Sequence, residues 1–137
     1  SYAFGARVPS INEMPINDKL FVLQSDIIKK AAKEGPCVII GRCADYILRE
    51  HENCLNVFVH ADKAARIKRI VGLGHCEEKK APDFVTKKDK QRANYYNFYS
   101  NNRWDDLLNY DLTIDTSRFS VDMAVDLIID AAKKLDV

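Results

Sequence analysis

The chain is short of most features that mark a protein by a single motif. Its four cysteines, at 37, 43, 54 and 76, form no CxxC pair, and no histidine stands at zinc-ligand spacing from them. His51, His60 and His75 are isolated, so no metal ligand set is read. No apolar run approaches the roughly 18 residues that a membrane span needs. The opening SYAFGARVPS lacks the basic-then-apolar layout of a secretory leader. Glycine is scarce, with five at 5, 35, 41, 72 and 74, and none begins a GxxxxGK loop closed by Ser or Thr. The net charge is only +1, whereas a general nucleic-acid binder is more often basic throughout. Cys37 and Cys54 lie in apolar runs, where a thiol behaves as a small hydrophobe. That favours reduced thiols and a cytoplasmic setting over a disulfide framework.

What is present suits one globular domain. At 137 residues, 47% hydrophobic and 30% charged, the chain can bury a core without staples. Residues 1–16, broken by Pro9 and Pro15, read as an arm or loop, and 17–137 as an α/β domain. Asn17 is placed to cap a helix with Leu20, Phe21, Leu23, Ile27, Ile28 and Ala31 inward, closing at Gly35. The run at 36–40, PCVII, has the β-branched character of a parallel strand covered on both faces. GRCADYIL then reads as a turn and short helix, and 54–61 as a second strand. Asp62 caps a helix through Val71, with Ala64, Ala65, Ile67 and Ile70 on its packed side. The segment GLGHCEEKKAPDF has few core residues and reads as a flap. A long helix follows, then a loop, a third strand at 110–115, and a last helix capped by Ser120. That helix carries Val121, Ala124, Val125, Ile128, Ile129 and Ala132 inward. Strands alternating with helices argue for a parallel α/β sheet with ligands at the strands' carboxyl ends.

Charge is unevenly spread. Between Lys63 and Arg92 ten basic side chains face four acidic ones, so the rest of the chain is net acidic. Such a block points to a site for a compact anion. Gly41 and Arg42 directly follow an apolar run, where a glycine permits a sharp turn and an arginine fork can grip a phosphate or carboxylate. A surface arginine after a helix-cap turn fits the same letters. Asp45, a turn later, can orient Arg42 or be an ordinary helix residue. Arg66 and Arg69 lie three apart near the expected ligand edge. The helix from Lys87 towards Trp104 sets Arg92, Tyr95, Tyr96 and Tyr99 on one side. That arrangement suits charge developing on a transferring phosphoryl group, and it equally suits a packed tyrosine stripe with a solvated lysine face. Asp115, Thr116 and Ser117 close the third strand at the same edge and can meet a purine or form a plain turn.

The order VIIGRCADYIL, a strand, DKAARIKRI, a glycine-broken flap, then KKDKQRANYYNFY and NYDLTIDTSR resembles the cytidylate-kinase-like family of P-loop nucleoside monophosphate kinases. The likeness spans about residues 17–135. It implies a parallel-sheet, three-layer P-loop kinase-like fold with a lid-like segment at about 72–100. It further implies transfer of the γ-phosphoryl of ATP, with Mg²⁺, to CMP or a similar small acceptor. By the same resemblance Gly41 and Arg42 bind the acceptor, with Asp45 added as the nearest acid, and Arg92, Arg66 and Arg69 attend the phosphates. Lys88 and Asp89 support the lid, and Asp115, Thr116 and Ser117 approach the adenine. Two departures stand out. Cys43 occupies the place where cytidylate kinases favour an aspartate, and the β-P-loop-α unit is not found in these residues. The resemblance therefore implies roughly 60 further residues upstream, from the usual size of such a unit. A non-catalytic nucleotide-sensing or partner-binding module is the alternative. RNA binding through the Arg/Tyr helix ranks below both, a membrane partner is not expected, and the aromatic N-terminal arm leaves a homodimer open.

Overall fold

The computed structural model describes residues 14–137. The expected arm at 1–16 thus lies outside the described residues as far as residue 13. Two compact units divide the chain, one ending at Leu48 and one running from Arg49 to Val137. No helix among the described residues is long and apolar enough to cross a membrane.

In the first unit, α1 spans Ile16–Glu34. It starts one residue earlier than the expected Asn17 cap, because the carbonyl of Pro15 already accepts from the Lys19 amide at 3.0 Å. Ile28 is buried and Phe21 and Ala31 are half-buried, but Leu20, Leu23 and Ile27 are exposed, contrary to their expected inward placement. The stripe is amphipathic as read, yet a helical period specifies only which side is apolar and not what covers it. The run at 36–40 is also corrected. It is no strand, and Val38 and Ile40 are 91% and 88% exposed. A β-branched run becomes a strand only when a neighbouring backbone completes its hydrogen bonds, and none of the described residues does so here. Gly41, Arg42 and Cys43 then turn the chain into the four-residue α2, Ala44–Ile47.

The second unit is mixed α/β around a parallel two-stranded sheet of β1, Val57–His60, and β2, Leu112–Asp115. The register runs from Val57 opposite Leu112 to His60 opposite Asp115. Both strands are stapled at their start: Asp111 Oδ2 accepts from the Asn56 amide at 2.7 Å, and the Asn56 carbonyl accepts from the Asp111 amide at 2.8 Å. On one face Phe58 packs against Trp104 and Tyr110 at ring distances of 5.4 and 4.8 Å. Ile114 is buried.

Helix α3, Lys63–Gly72, leaves the carboxyl end of β1 with Asp62 as its cap, Oδ1 accepting from the Ala65 amide at 2.7 Å. Of its expected packed side, Ala65, Ile67 and Ile70 are half-buried while Ala64 is exposed. A short 3₁₀ turn, Glu78–Lys80, feeds α4, Ala81–Ser100. The helix therefore begins inside the expected flap, which extended to Phe84. Pro82 in its first turn suits a helix start, and Ala81 and Val85 are buried anchors that offset the scarcity of apolar residues around them. Asn101, left-handed at φ 56°, ends α4. The following loop is tied back by Trp104 N–H donating to Asn97 Oδ1 at 2.9 Å and Tyr110 O–H donating to the Trp104 carbonyl at 2.7 Å. Helix α5, Val121–Leu135, has the expected Ser120 cap, whose Oγ accepts from the Met123 amide at 3.2 Å. Ala124 is buried, whereas Val121, Val125 and Ile129 are exposed against expectation, since among the described residues α5 makes no extensive contact with another element.

Candidate functional site

The charged centre of the second unit is the seam between α3 and α4. Arg66 is the fourth residue of α3, one turn from the carboxyl end of β1, and Asp89 lies midway along α4. Arg66 grips Asp89 with both arms of its fork: Nη1 donates to Oδ2 at 2.7 Å and Nη2 donates to Oδ1. Arg92, one turn further along α4, donates from Nη1 to the same Oδ1 at 3.3 Å. One carboxylate thus holds two guanidiniums and leaves the cluster with net positive charge. Hydrogen bonding to Arg66 keeps the Asp89 carboxyl below the ordinary carboxylate range, against the opposing effect of partial burial, with Arg92 adding to the lowering. Arg66 is correspondingly held above its ordinary value by the same bond. A fork fixed bidentately loses little further rotamer freedom when an anion arrives.

Around this centre the expected residues fall in different places. Arg69 lies one turn beyond Arg66 on α3, is exposed, and forms no ion pair with a described residue. Lys88 places its ammonium over the Phe84 ring at 5.5 Å. On the Arg/Tyr side of α4, Tyr96 is buried, Tyr95 and Tyr99 pack ring to ring at 4.9 Å, and Arg92 remains more than half exposed while reaching back to Asp89. The tyrosines therefore pack, while the arginine stays largely exposed and charged.

At the carboxyl end of the sheet, Asp115, Thr116 and Ser117 form a closed turn. Asp115 Oδ1 accepts from the Ser117 amide at 2.9 Å and from its hydroxyl, which keeps this carboxyl also below its ordinary range. The Thr116 amide and hydroxyl both donate to the His60 carbonyl, at 2.8 and 3.2 Å, tying the ends of β1 and β2 together. The Asp62 amide reaches the Ser117 hydroxyl at 3.4 Å.

In the first unit the expected acceptor-binding pair sits in an unusual turn. Gly41, Arg42 and Cys43 are successively left-handed, at φ 69°, 59° and 57°. Only glycine adopts that conformation freely, and each of the two side-chain-bearing residues is disfavoured there by about 1–2 kcal/mol. Arg42 is exposed and Cys43 is buried beneath it in sequence, its thiol pushed up to about 11, first by burial and then by the charge of Asp45. Asp45 is half-buried at the start of α2. None of the four cysteines forms a disulfide.

Sequence reading passed over one polar contact on the same seam. Lys63 Nζ donates to Thr86 Oγ1 at 2.9 Å. The available signal was spacing, since Lys63 precedes Arg66 by three residues and Thr86 precedes Asp89 by three.

Against known proteins, a family model described as the cytidylate kinase-like family matches residues 1–118. A cytidylate kinase of Methanococcus vannielii is 29% identical over 106 residues, covering 76% of this chain and 61% of that protein. The chain therefore spans under two thirds of that relative's length. The crystal structure of an uncharacterized protein from Eubacterium ventriosum superposes with a TM-score of 0.81 at 33% identity, over 90% of this chain and 70% of the other. With the backbone shared at that level and the family match reaching just past the turn that closes β2, the chain belongs to the cytidylate kinase-like family.

Proposed function

We propose that this chain serves a nucleotide kinase, providing the acceptor-gripping and phosphate-clamping side of a site that moves the γ-phosphoryl group of ATP to CMP or a similar nucleoside monophosphate. The observation that carries the reading is the single carboxylate of Asp89 bridging Arg66 and Arg92. Phosphoryl transfer needs in-line positioning and positive charge to neutralise what spreads over the equatorial oxygens, and little covalent help from the protein. Paired guanidiniums held by a shared anion supply both. An acceptor phosphate is already anionic, so no side chain need act as general base. In this reading Gly41 and Arg42 grip the acceptor's phosphate with Asp45 nearby, and Arg66, Arg69 and Arg92 neutralise the group in transfer. Asp89 and Lys88 steady the lid, and the 115–117 turn meets the adenine.

ATP and Mg²⁺ come with the family resemblance. Among the described residues no three His, Cys, Asp or Glu side chains converge as a cation cage. In such sites Mg²⁺ is ordinarily held by the donor's phosphates together with one or two protein groups.

The alternative reading is a nucleotide-sensing module of the same family without turnover. Isothermal calorimetry with CMP and with ATP, paired with a coupled assay for ADP release, separates the two. ADP formation that depends on CMP supports the kinase. CMP binding with no ADP formed under any donor by the full-length parent protein overturns it in favour of the sensor.

A further inference from the structure

We propose that Lys63 is an additional phosphate-binding residue, parked on the Thr86 hydroxyl when the site holds no anion. The proposal rests on the reading of the α3–α4 seam as a phosphate site and adds to it a side chain that the arginine pattern does not include.

The contact that holds Lys63 is electrically incomplete. Its ammonium bonds Thr86 Oγ1 at 2.9 Å, and a hydroxyl completes a hydrogen bond without cancelling a charge. The Thr86 hydroxyl in turn donates to the Pro82 carbonyl at 3.1 Å, so its proton is committed and its lone pairs are available to Lys63. The lysine is therefore oriented by an acceptor but not neutralised. An ammonium has three protons, and one suffices for Thr86, leaving two for another oxygen.

The placement of this charge is specific. Lys63 and Arg66 are three residues apart on α3, and their partners Thr86 and Asp89 are three apart on α4. Three residues of helix rise roughly 4.5 Å, about one turn, so the ammonium lies one rung from the Arg66 fork on the same seam. It lies on the rung nearer the carboxyl end of β1, since α3 begins there. The last two cations of α3 contrast with it: among the described residues neither Lys68 nor Arg69 has such an acceptor or an ion pair. Around the fork, Asp89 balances only one of the two arginines it holds. An anion with several oxygens that meets Arg66 can reach a second donor at Lys63 without either helix moving.

The test uses the 137-residue chain and two probes, inorganic pyrophosphate and CMP, titrated by calorimetry at low and moderate salt. Lys63→Met is expected to weaken pyrophosphate by about tenfold and to flatten the salt dependence, as loss of one cation near the anion requires. Lys63→Arg is expected to restore most of the affinity. Thr86→Val releases the ammonium and is expected to bind as well as the unaltered chain or better. A Lys80→Met control removes a lysine paired with Glu77 and is expected to change nothing. If Lys63→Met binds as the unaltered chain does, the proposal falls while the phosphate site stands. If Thr86→Val weakens binding as much as Lys63→Met, the pair is a structural clasp and the proposal falls. If the unaltered chain binds neither probe, the underlying phosphate-site reading fails and takes the proposal with it. CMP bound more tightly than pyrophosphate but equally sensitive to Lys63→Met identifies the anion as a nucleotide's phosphate.

Discussion

Arg42 and Arg66 look alike in the sequence, each a few residues after an apolar run, and the molecule holds them by opposite means. Arg66 is fixed by a partner, because Asp89 takes both arms of its fork and Arg92 besides. Arg42 is fixed by its backbone, since it sits left-handed between two residues of the same conformation and projects an exposed side chain. The first device gives geometry at the cost of half-neutralised charge. The second leaves the whole charge available and stores strain in the chain. Strain of this kind persists only where the surroundings over-determine it, and it gathers at ligand-gripping turns.

The sharpest way to break the comparison is to remove one side of each device. On the proposed kinase reading, Arg92→Ala in the full-length parent is expected to lower kcat for CMP-dependent ADP formation about a hundredfold or more, the ordinary worth of a charge stabiliser in such a site. Unchanged turnover would take Arg92 out of the chemistry. Next in size is a contrast of thiols, which reads the packing beneath the strained turn. Cys37 is exposed while Cys43 is buried with its thiol raised, so alkylation at pH 8 should label Cys37 at least about ten times faster. Peptide mapping by mass spectrometry follows both sites in one sample, and equal rates would mean that the turn opens freely.

Arg42→Gly probes the strain itself. It should raise thermal stability by up to about 1 kcal/mol, the left-handed penalty less glycine's greater chain entropy, while weakening CMP binding about tenfold. A variant that loses both stability and affinity would show the left-handed turn to be imposed by something other than the need to present a charge. The smallest effect concerns pH. Asp89 ionises more readily in the folded chain than unfolded, so its contribution to stability is complete above the ordinary carboxylate value and is lost as the pH falls through the lowered one. Urea unfolding followed from pH 6 downwards should therefore show a loss below about pH 4 that Asp89→Asn reduces, with Asp115, likewise held low, contributing to what remains.

Much of this molecule could be read in its letters where the controlling physics is local. Asp62 and Ser120 were expected to cap α3 and α5, and both do, because a cap is decided within four residues. Asp89 was singled out through family likeness rather than local pattern, and it is the residue that pairs with Arg66 and Arg92. The failures are long-range. PCVII has a strand's composition, but nothing in five residues states whether a neighbouring backbone will pair with them. The apolar stripes of α1 and α5 were legible as stripes, while the exposure of Leu23, Ile27, Val125 and Ile129 depends on what else packs there. The start of α4 inside the flap segment was not legible either, because its anchors Ala81 and Val85 are two scattered small-to-medium side chains whose burial depends on distant parts of the chain.

The equal intervals along the α3–α4 seam carry a last consequence. Because 63 is to 66 as 86 is to 89, the two helices are meshed like a pair of gear teeth, with each turn of one answered by a turn of the other. Exchanging Lys87 or Lys88 for another helix-forming residue leaves the meshing intact. Inserting or deleting a single residue between Thr86 and Asp89 swings the carboxylate about 100° around the helix axis, out of reach of Arg66, although α4 would remain helical. This stretch of the chain can therefore vary in composition but not in length.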